Sequence, residues 1–268
     1  MGGSREAVPL TDFQAALARL LAANRSQDSH LAGGAAILLE PSTRRFSNDL
    51  DYFHDSERRV AEAFGADRAL LEERGYSLRV DLNQPGFIRA VVARGDQATK
   101  VEWSRDSSWR FMPTVRDERV GYLLHPVDLA VNRVLALAGR DEPRDLLDAV
   151  HLHMAVLELG PLCWAACGKD PGFTPLSLLE LLRRRGRLRS EDLARLRLVD
   201  PPDLASLKQQ WLAALESVEP FVESRPPDEI GCLYYSPRQR RFVDPNTVDD
   251  AVPHYGRPGG VLPAVESP

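Results

Sequence analysis

Three runs close together, YSLRVDL (76–82), FIRAVVAR (87–94) and ATKVEWSRD (98–106), alternate apolar or β-branched residues with polar ones. A period of two marks strands with one buried face. After Pro126 the period changes: HPVDLAVNRVLALAGRD, PRDLLDAVHLHMAVLEL, SLLELLRRRG, SEDLARLRL and DLASLKQQWLAALESVEPFV all carry helical spacing. A sheet that gives way once to helices predicts an α+β fold. The sheet is flanked by helices of its own, because Phe13, Leu17, Leu20 and Leu21 recur at helical spacing and ERRVAEAFGADRALLEER (57–74) reads as a second helix before Gly75.

The expected organisation is a sheet-containing domain over 9–124 and a helical domain over 125–225. A Pro- and Gly-rich segment over 226–268 follows, extended and partly paired to about Val243 and a loose tail beyond. Residues 1–8 read as a disordered lead-in. Asp141 and Pro143 mark a helix start, since a capping carboxylate and an early proline both suit a first turn.

The strand-like stretch RRFSNDLDYF (44–53) places Asp49 and Asp51 two apart. On a strand they project side by side, with Leu50 and Tyr52 on the other face. Paired carboxylates repel each other and resist burial unless something positive lies between them. Mg²⁺ answers that need, because it takes hard oxygen ligands and binds through one or two carboxylates plus substrate phosphates. Glu102 offers a third acid, on one strand face with Lys100, while Val101 and Trp103 face the other way. Three acids on neighbouring strands can hold two metals ~4 Å apart for in-line phosphoryl displacement. An isolated DxD is more often a solvated strand edge, so its company decides. Upstream, Gly33 and Gly34 open the run GGAAILLE, where backbone N–H groups can approach a phosphate. Arg44, Arg45 and Ser47 lie between. Downstream, Arg133 and Arg140 share a helix face, and Arg144, Asp145 and Asp148 follow on the next helix. This charge cluster reads either as an ordinary set of helix ion pairs or as the cap of a nucleotide cleft.

Together these pieces resemble the AbiEii/AbiGii-type nucleotidyltransferases, a branch of the polymerase-beta-like nucleotidyltransferase superfamily whose members are often toxins of bacterial toxin–antitoxin pairs. The resemblance rests on GGAA (33–36), RFSNDLD (45–51), KVEW (100–103) and NRVLALAGRDEPRDLLD (132–148), in that order, and covers roughly residues 30–150. It implies a polymerase-beta-like domain followed by a helical one, with Asp49, Asp51 and Glu102 as metal ligands for two Mg²⁺ ions. It further implies nucleoside triphosphate phosphates on Gly33, Gly34, Arg45 and Ser47, with Arg133, Arg140 and Asp145 serving from the helical side. The family has lysine where this chain has Arg133, which keeps the charge but cannot give up a proton.

The acceptor is less constrained. Five arginines, Arg183, Arg184, Arg185, Arg187 and Arg189, fall within seven residues, and suit either an RNA backbone such as tRNA or a solvated helix end. A protein acceptor, a small-molecule (antibiotic) acceptor and a degenerate member that binds nucleotide or a partner without catalysis stay open, as does a cognate antitoxin partner. The formal charge of -5 speaks against a general nucleic-acid coat. No apolar run approaches the ~20 residues that cross a bilayer, and no signal pattern opens the chain. Three cysteines, Cys163, Cys167 and Cys232, are too few for a disulfide framework, so a cytoplasmic setting without a membrane partner is expected. His151 and His153, two apart on a helix, do not converge on zinc with Cys163 and Cys167. His54 and Asp55 suit a turn or a cleft lining, and Trp103 and Trp109 suit packing.

Overall fold

In the computed structural model, residues 10–37, 46–140, 142–185, 188–198 and 201–264 are described. They fall into two compact units. One lies within Met1–Ser108, Pro113–His125 and Arg197–Asp200, the other within Trp109–Met112, Pro126–Leu196 and Pro201–Pro268.

In the first unit, α1 (Asp12–Leu21) starts at a reciprocal cap between Thr11 and Gln14. It is followed by β1 (Ser29–Ala32), α2 (Gly33–Ile37), β2 (Asp49–His54) and α3 (Glu57–Glu73), whose first turn is capped by Ser56. The three alternating runs form β3 (Ser77–Gln84), β4 (Phe87–Arg94) and β5 (Gln97–Arg105). Strand β6 (Trp109–Arg110) belongs to the second unit, while β7 (Val115–Asp117) and β8 (Gly121–Leu123) complete the first. The seven-stranded sheet runs β3-β4-β5-β2-β1-β8-β7 and is mixed: β5 and β2 are parallel, β2 and β1 antiparallel.

Leu50, Tyr52, Val101 and Trp103 are fully buried on one side of β2 and β5. Burying such side chains contributes ~1.5–3 kcal/mol each, which fixes the register and leaves the alternate positions, Asp49, Asp51, Lys100 and Glu102, on the opposite face. Helix α3 supplies Phe64, edge-on to Trp103 with ring centres 5.2 Å apart. It also carries Asp67, fully buried, which accepts hydrogen bonds from Trp103 Nε1 (2.7 Å), Asn24 Nδ2 (2.9 Å) and Arg25 Nη2 (2.5 Å). The Arg25 guanidinium in turn lies 4.4 Å over the Tyr52 ring.

The second unit is mainly helical: α4 (Pro126–Gly139), α5 (Pro143–Ala155), α6 (Leu159–Lys169), α7 (Pro175–Arg184), α8 (Ser190–Ala194), α9 (Leu204–Glu216) and α10 (Val218–Glu223). Helix α5 starts at Pro143 as expected, but its cap position is Glu142 and no side chain caps it; Asp141 lies outside the described residues. Helix α6 is apolar on every side, and such a helix belongs in a core. Its Trp164 packs with Phe221, Cys232 and Tyr234.

The chain beyond Val243 differs from the loose tail expected of it. Strand β9 (Leu233–Ser236) is flanked by β10 (Arg241–Phe242) and β11 (Val252–His254), and β12 (Arg257–Pro258) pairs with β6. His254 Nε2 lies 2.9 Å from the Phe111 carbonyl. Just before β9, close approach of two glycines seats the chain on α6: a Cβ on Gly168 would stand 2.3 Å from the Gly231 carbonyl oxygen. Among the described residues no single helix is long and apolar enough to cross a membrane.

Candidate active site

The parallel register of β2 and β5 sets Asp49 beside Lys100 and Asp51 beside Glu102. One carboxylate oxygen from each of Asp49, Asp51 and Glu102 lies within 4.8 Å of the other two. Carboxylates at this spacing repel by a few kcal/mol per pair at an effective dielectric of about 20, so the cluster needs cations. Lys100 Nζ stands 3.1 Å from Asp49 Oδ2 and 3.5 Å from Glu102 Oε1, and Arg89 Nε donates to Glu102 Oε1 at 2.8 Å. Three converging hard oxygens are compatible with a divalent metal ion.

The turn after β1 is shaped around this cluster. Ala32 pairs with Asp51, and the next residue, Gly33, has φ +61°. A Cβ on Gly33 would meet Asp51 Oδ2 at 2.1 Å, so only glycine fits both the backbone and the space. Gly34, buried, continues into α2. The family resemblance implies a phosphate contact for Ser47. In the structure its hydroxyl is buried and donates to the Asp49 carbonyl at 2.8 Å, so it braces the strand. Gln14, absent from the motif reading, donates from Nε2 to the Ser47 carbonyl (3.2 Å) and to Thr99 Oγ1 (3.1 Å), tying the approach of β2 to β5. Its capping pattern with Thr11 is visible in sequence, but its second attachment is not. Arg45 lies outside the described residues.

In the second unit, Arg133, Arg140, Asp145 and Asp148 come together as one cluster. Asp145 is fully buried and accepts from Arg133 Nη1 and, at 2.6 Å, from Arg140 Nε; Arg133 Nη2 lies 3.2 Å from Asp148 Oδ2. Burial alone would raise the Asp145 pKa, but the Arg140 hydrogen bond and the charges of Arg133, Arg140 and Arg144 outweigh it and hold the carboxyl below its ordinary value. Arg133 is 6% exposed, with its guanidinium committed to two carboxylates, while Arg140 keeps an exposed side.

Other candidates sort by burial. His54 is fully buried with neither ring nitrogen hydrogen-bonded; burial, then the Arg25, Arg59 and His30 charges, press its pKa down to about 3, so it is neutral and lines no open cleft. Cys167 Sγ donates to the Cys163 carbonyl at 3.3 Å, and both thiols are buried. Among the described residues the acidic triad is the group with metal-holding geometry, and neither these cysteines nor His151 and His153 join one. Arg183 pairs with Glu219 and Arg184 with Glu180, and Arg187 lies outside the described residues. Arg183, Arg185 and Arg189 line a hollow of 390 Å³ together with Leu207 and Trp211.

No protein-family model matches the chain, and no curated protein matches it. Solved structures do. MenT4, a nucleotidyltransferase toxin from Mycobacterium tuberculosis, superposes with a TM-score of 0.52 at 17% identity, over 81% of this chain and 83% of its own. A chain from H. pylori described as a candidate nucleotidyltransferase gives 0.50 at 18%, over 79% and 94%. JHP933 from Helicobacter pylori gives 0.50 at 15%, over 80% and 95%. The motif order and the superposition agree, and the chain has the nucleotidyltransferase fold of these structures.

Proposed function

We propose that this chain is a Mg²⁺-dependent nucleotidyltransferase that moves a nucleoside monophosphate from a nucleoside triphosphate to an acceptor hydroxyl. The observation that carries this reading is the convergence of Asp49, Asp51 and Glu102 within 4.8 Å on a face anchored from behind by buried Leu50 and Tyr52. Those three side chains would hold Mg²⁺, which supplies charge neutralisation for the triphosphate and the departing pyrophosphate. In this reading the backbone N–H groups of the Gly33–Gly34 turn would meet phosphate oxygens. The acceptor oxygen bonds to the α-phosphorus, the bond from that phosphorus to the β-bridging oxygen breaks, and the hydroxyl proton passes to a carboxylate of the triad. The chain's contribution is positioning and fixed charge.

The acceptor we favour is RNA such as tRNA, on the strength of the exposed Arg183, Arg184 and Arg189, with protein as the next candidate. A toxin role under a cognate antitoxin follows from the kinship with a toxin fold and is read as analogy.

A second reading has one observation in its favour. Arg133, the position where the resembling family carries lysine, is enclosed by Asp145 and Asp148, which suits a chain that binds nucleotide without transferring it.

The test is incubation of the purified protein with each α-labelled nucleoside triphosphate, Mg²⁺ and total tRNA, beside Asp49→Asn and Asp51→Asn. Label on RNA with the intact chain alone is the expected result. Nucleotide binding without label on RNA, on the protein or on small-molecule acceptors would establish the second reading instead.

A further inference from the structure

We propose that Lys100 is the internal cation of the acidic site, a positioning residue that neutralises Asp49 and Glu102 and hands them over when a metal ion arrives. The inference rests on the reading of the triad as a metal site and goes beyond it.

The geometry is specific. Lys100 pairs across the parallel register with Asp49 and stands two residues before Glu102 on the same strand face, so its ammonium reaches both, at 3.1 Å and 3.5 Å. An ion bound at the ~2.0–2.1 Å that Mg²⁺ requires would draw on two of the carboxylates, Asp49 and Glu102, that the ammonium now contacts. Two cations cannot share that space, so the ammonium gives way. It has the means, because its side chain is 37% exposed and sits on a flexible four-carbon stem. The buried Arg133 pair shows the opposite design, a planar fork locked between two acids at 6% exposure. The chain carries 34 basic residues, of which three are lysines (100, 169 and 208). One of these three stands where the side chain must be a compact, strongly hydrated charge that can let go. Glu102 keeps Arg89 at 2.8 Å throughout, so the exchange never leaves that carboxylate bare. The released ammonium remains on the face where the triphosphate would lie, and its natural new partner is a phosphate oxygen. Lys100 therefore competes with metal and cooperates with nucleotide.

The probe is Mn²⁺ alone, titrated at low ionic strength with free ion counted by electron paramagnetic resonance, on the full chain and on Lys100→Met, Lys100→Gln, Lys100→Arg and Asp51→Asn. Loss of the competing charge at this distance should tighten Mn²⁺ binding by about fivefold or more in both neutral variants, while Lys100→Arg, whose planar fork releases carboxylates less readily, should bind Mn²⁺ more weakly than the parent. With Mn²⁺ saturating, the same neutral variants should bind a non-hydrolysable triphosphate more weakly. Parent binding that Asp51→Asn removes, with unchanged or weaker Mn²⁺ affinity in the neutral variants, would overturn the role of Lys100 alone. Mn²⁺ binding that survives Asp51→Asn, or no binding by any variant, would overturn the metal site and this inference together.

Discussion

The α-carbon of Gly33 and the carboxylate of Asp51 stand so close that one added methyl group would overlap Oδ2 at 2.1 Å. Gly33 directly follows Ala32, the strand partner of Asp51, and turns the chain at φ +61°, so the same residue sets the turn and the resting place of the acid.

Gly33→Ala should therefore do two separable things. The left-handed backbone costs roughly 1–2 kcal/mol for an alanine, and the Cβ must push the Asp51 carboxylate away from Asp49 and Glu102. Gly75 separates the two effects, since its φ is +74° but nothing lies within 4 Å of its would-be Cβ. Thermal melts should fall for both alanine variants, while Mn²⁺ affinity should drop at least several-fold for Gly33→Ala only. Equal affinity in the two variants would refute the steric role of Gly33.

Behind the site, Asp67 holds Arg25, Asn24 and the Trp103 indole, and the side chains of Arg25 and Asp67 are fully buried. Taking one partner from a buried ion pair leaves an uncompensated charge, at a cost of about 3–5 kcal/mol. Asp67→Ala should lower the urea midpoint accordingly, and the double replacement Arg25→Met/Asp67→Leu should recover much of the loss. A single variant as stable as the parent would show that this network carries little.

These two relationships also mark how far the sequence could be read. Strand alternation places Asp49, Asp51 and Glu102 on one face because a period of two is local, and the folded β2 and β5 keep that pattern. The approach of Gly33 to Asp51, and of Arg25 to Asp67 forty-two positions away, depends on how the chain doubles back, which no local period encodes. The inward turn of the Ser47 hydroxyl has the same origin, since Ser47 sits in a motif but its partner is the backbone of the strand it introduces. Helix α6 has no polar face to set a helical period, and β11, which pairs with β9, and β12, which pairs with β6, are strands of three and two residues, too short for a period to register.

His54 makes the first unit sensitive to acid. Its folded pKa, about 3, lies below the ordinary value of 6.5, with burial the leading cause. Below pH 6.5 the unfolded chain binds a proton that the folded chain refuses, so stability falls as pH drops from 6.5 towards 3, by up to ~1.4 kcal/mol per pH unit for this group. Urea titrations at pH 7, 6, 5 and 4 should show that slope, and His54→Leu should flatten it by about one proton's worth whatever its packing does at pH 7. An unchanged slope in His54→Leu would assign the acid sensitivity elsewhere; His153 and His254, whose pKa values burial also lowers, push in the same direction.

Arg133 tests which of the two functional readings holds. Its fork engages Asp145 and Asp148 together, while Arg140 reaches Asp145 from the more exposed side. Lysine, a single point charge, cannot span two acids with the same hydrogen bonds, so Arg133→Lys should weaken the second unit by about 1–3 kcal/mol as one buried carboxylate loses its donor. If the arginine is purely structural, that loss appears in the melting temperature while triphosphate affinity stays at the parent value. If it also serves the substrate, affinity or transfer changes at temperatures well below the melt, and a gain of transfer in Arg133→Lys would identify the lysine of the resembling family as the chemically competent residue. Asp145→Asn supplies the control, because it keeps the shape and removes the charge that both arginines face. It should destabilise the unit at pH 7 and lose less relative to the parent as pH falls through the depressed Asp145 pKa, where the parent's own carboxylate becomes protonated.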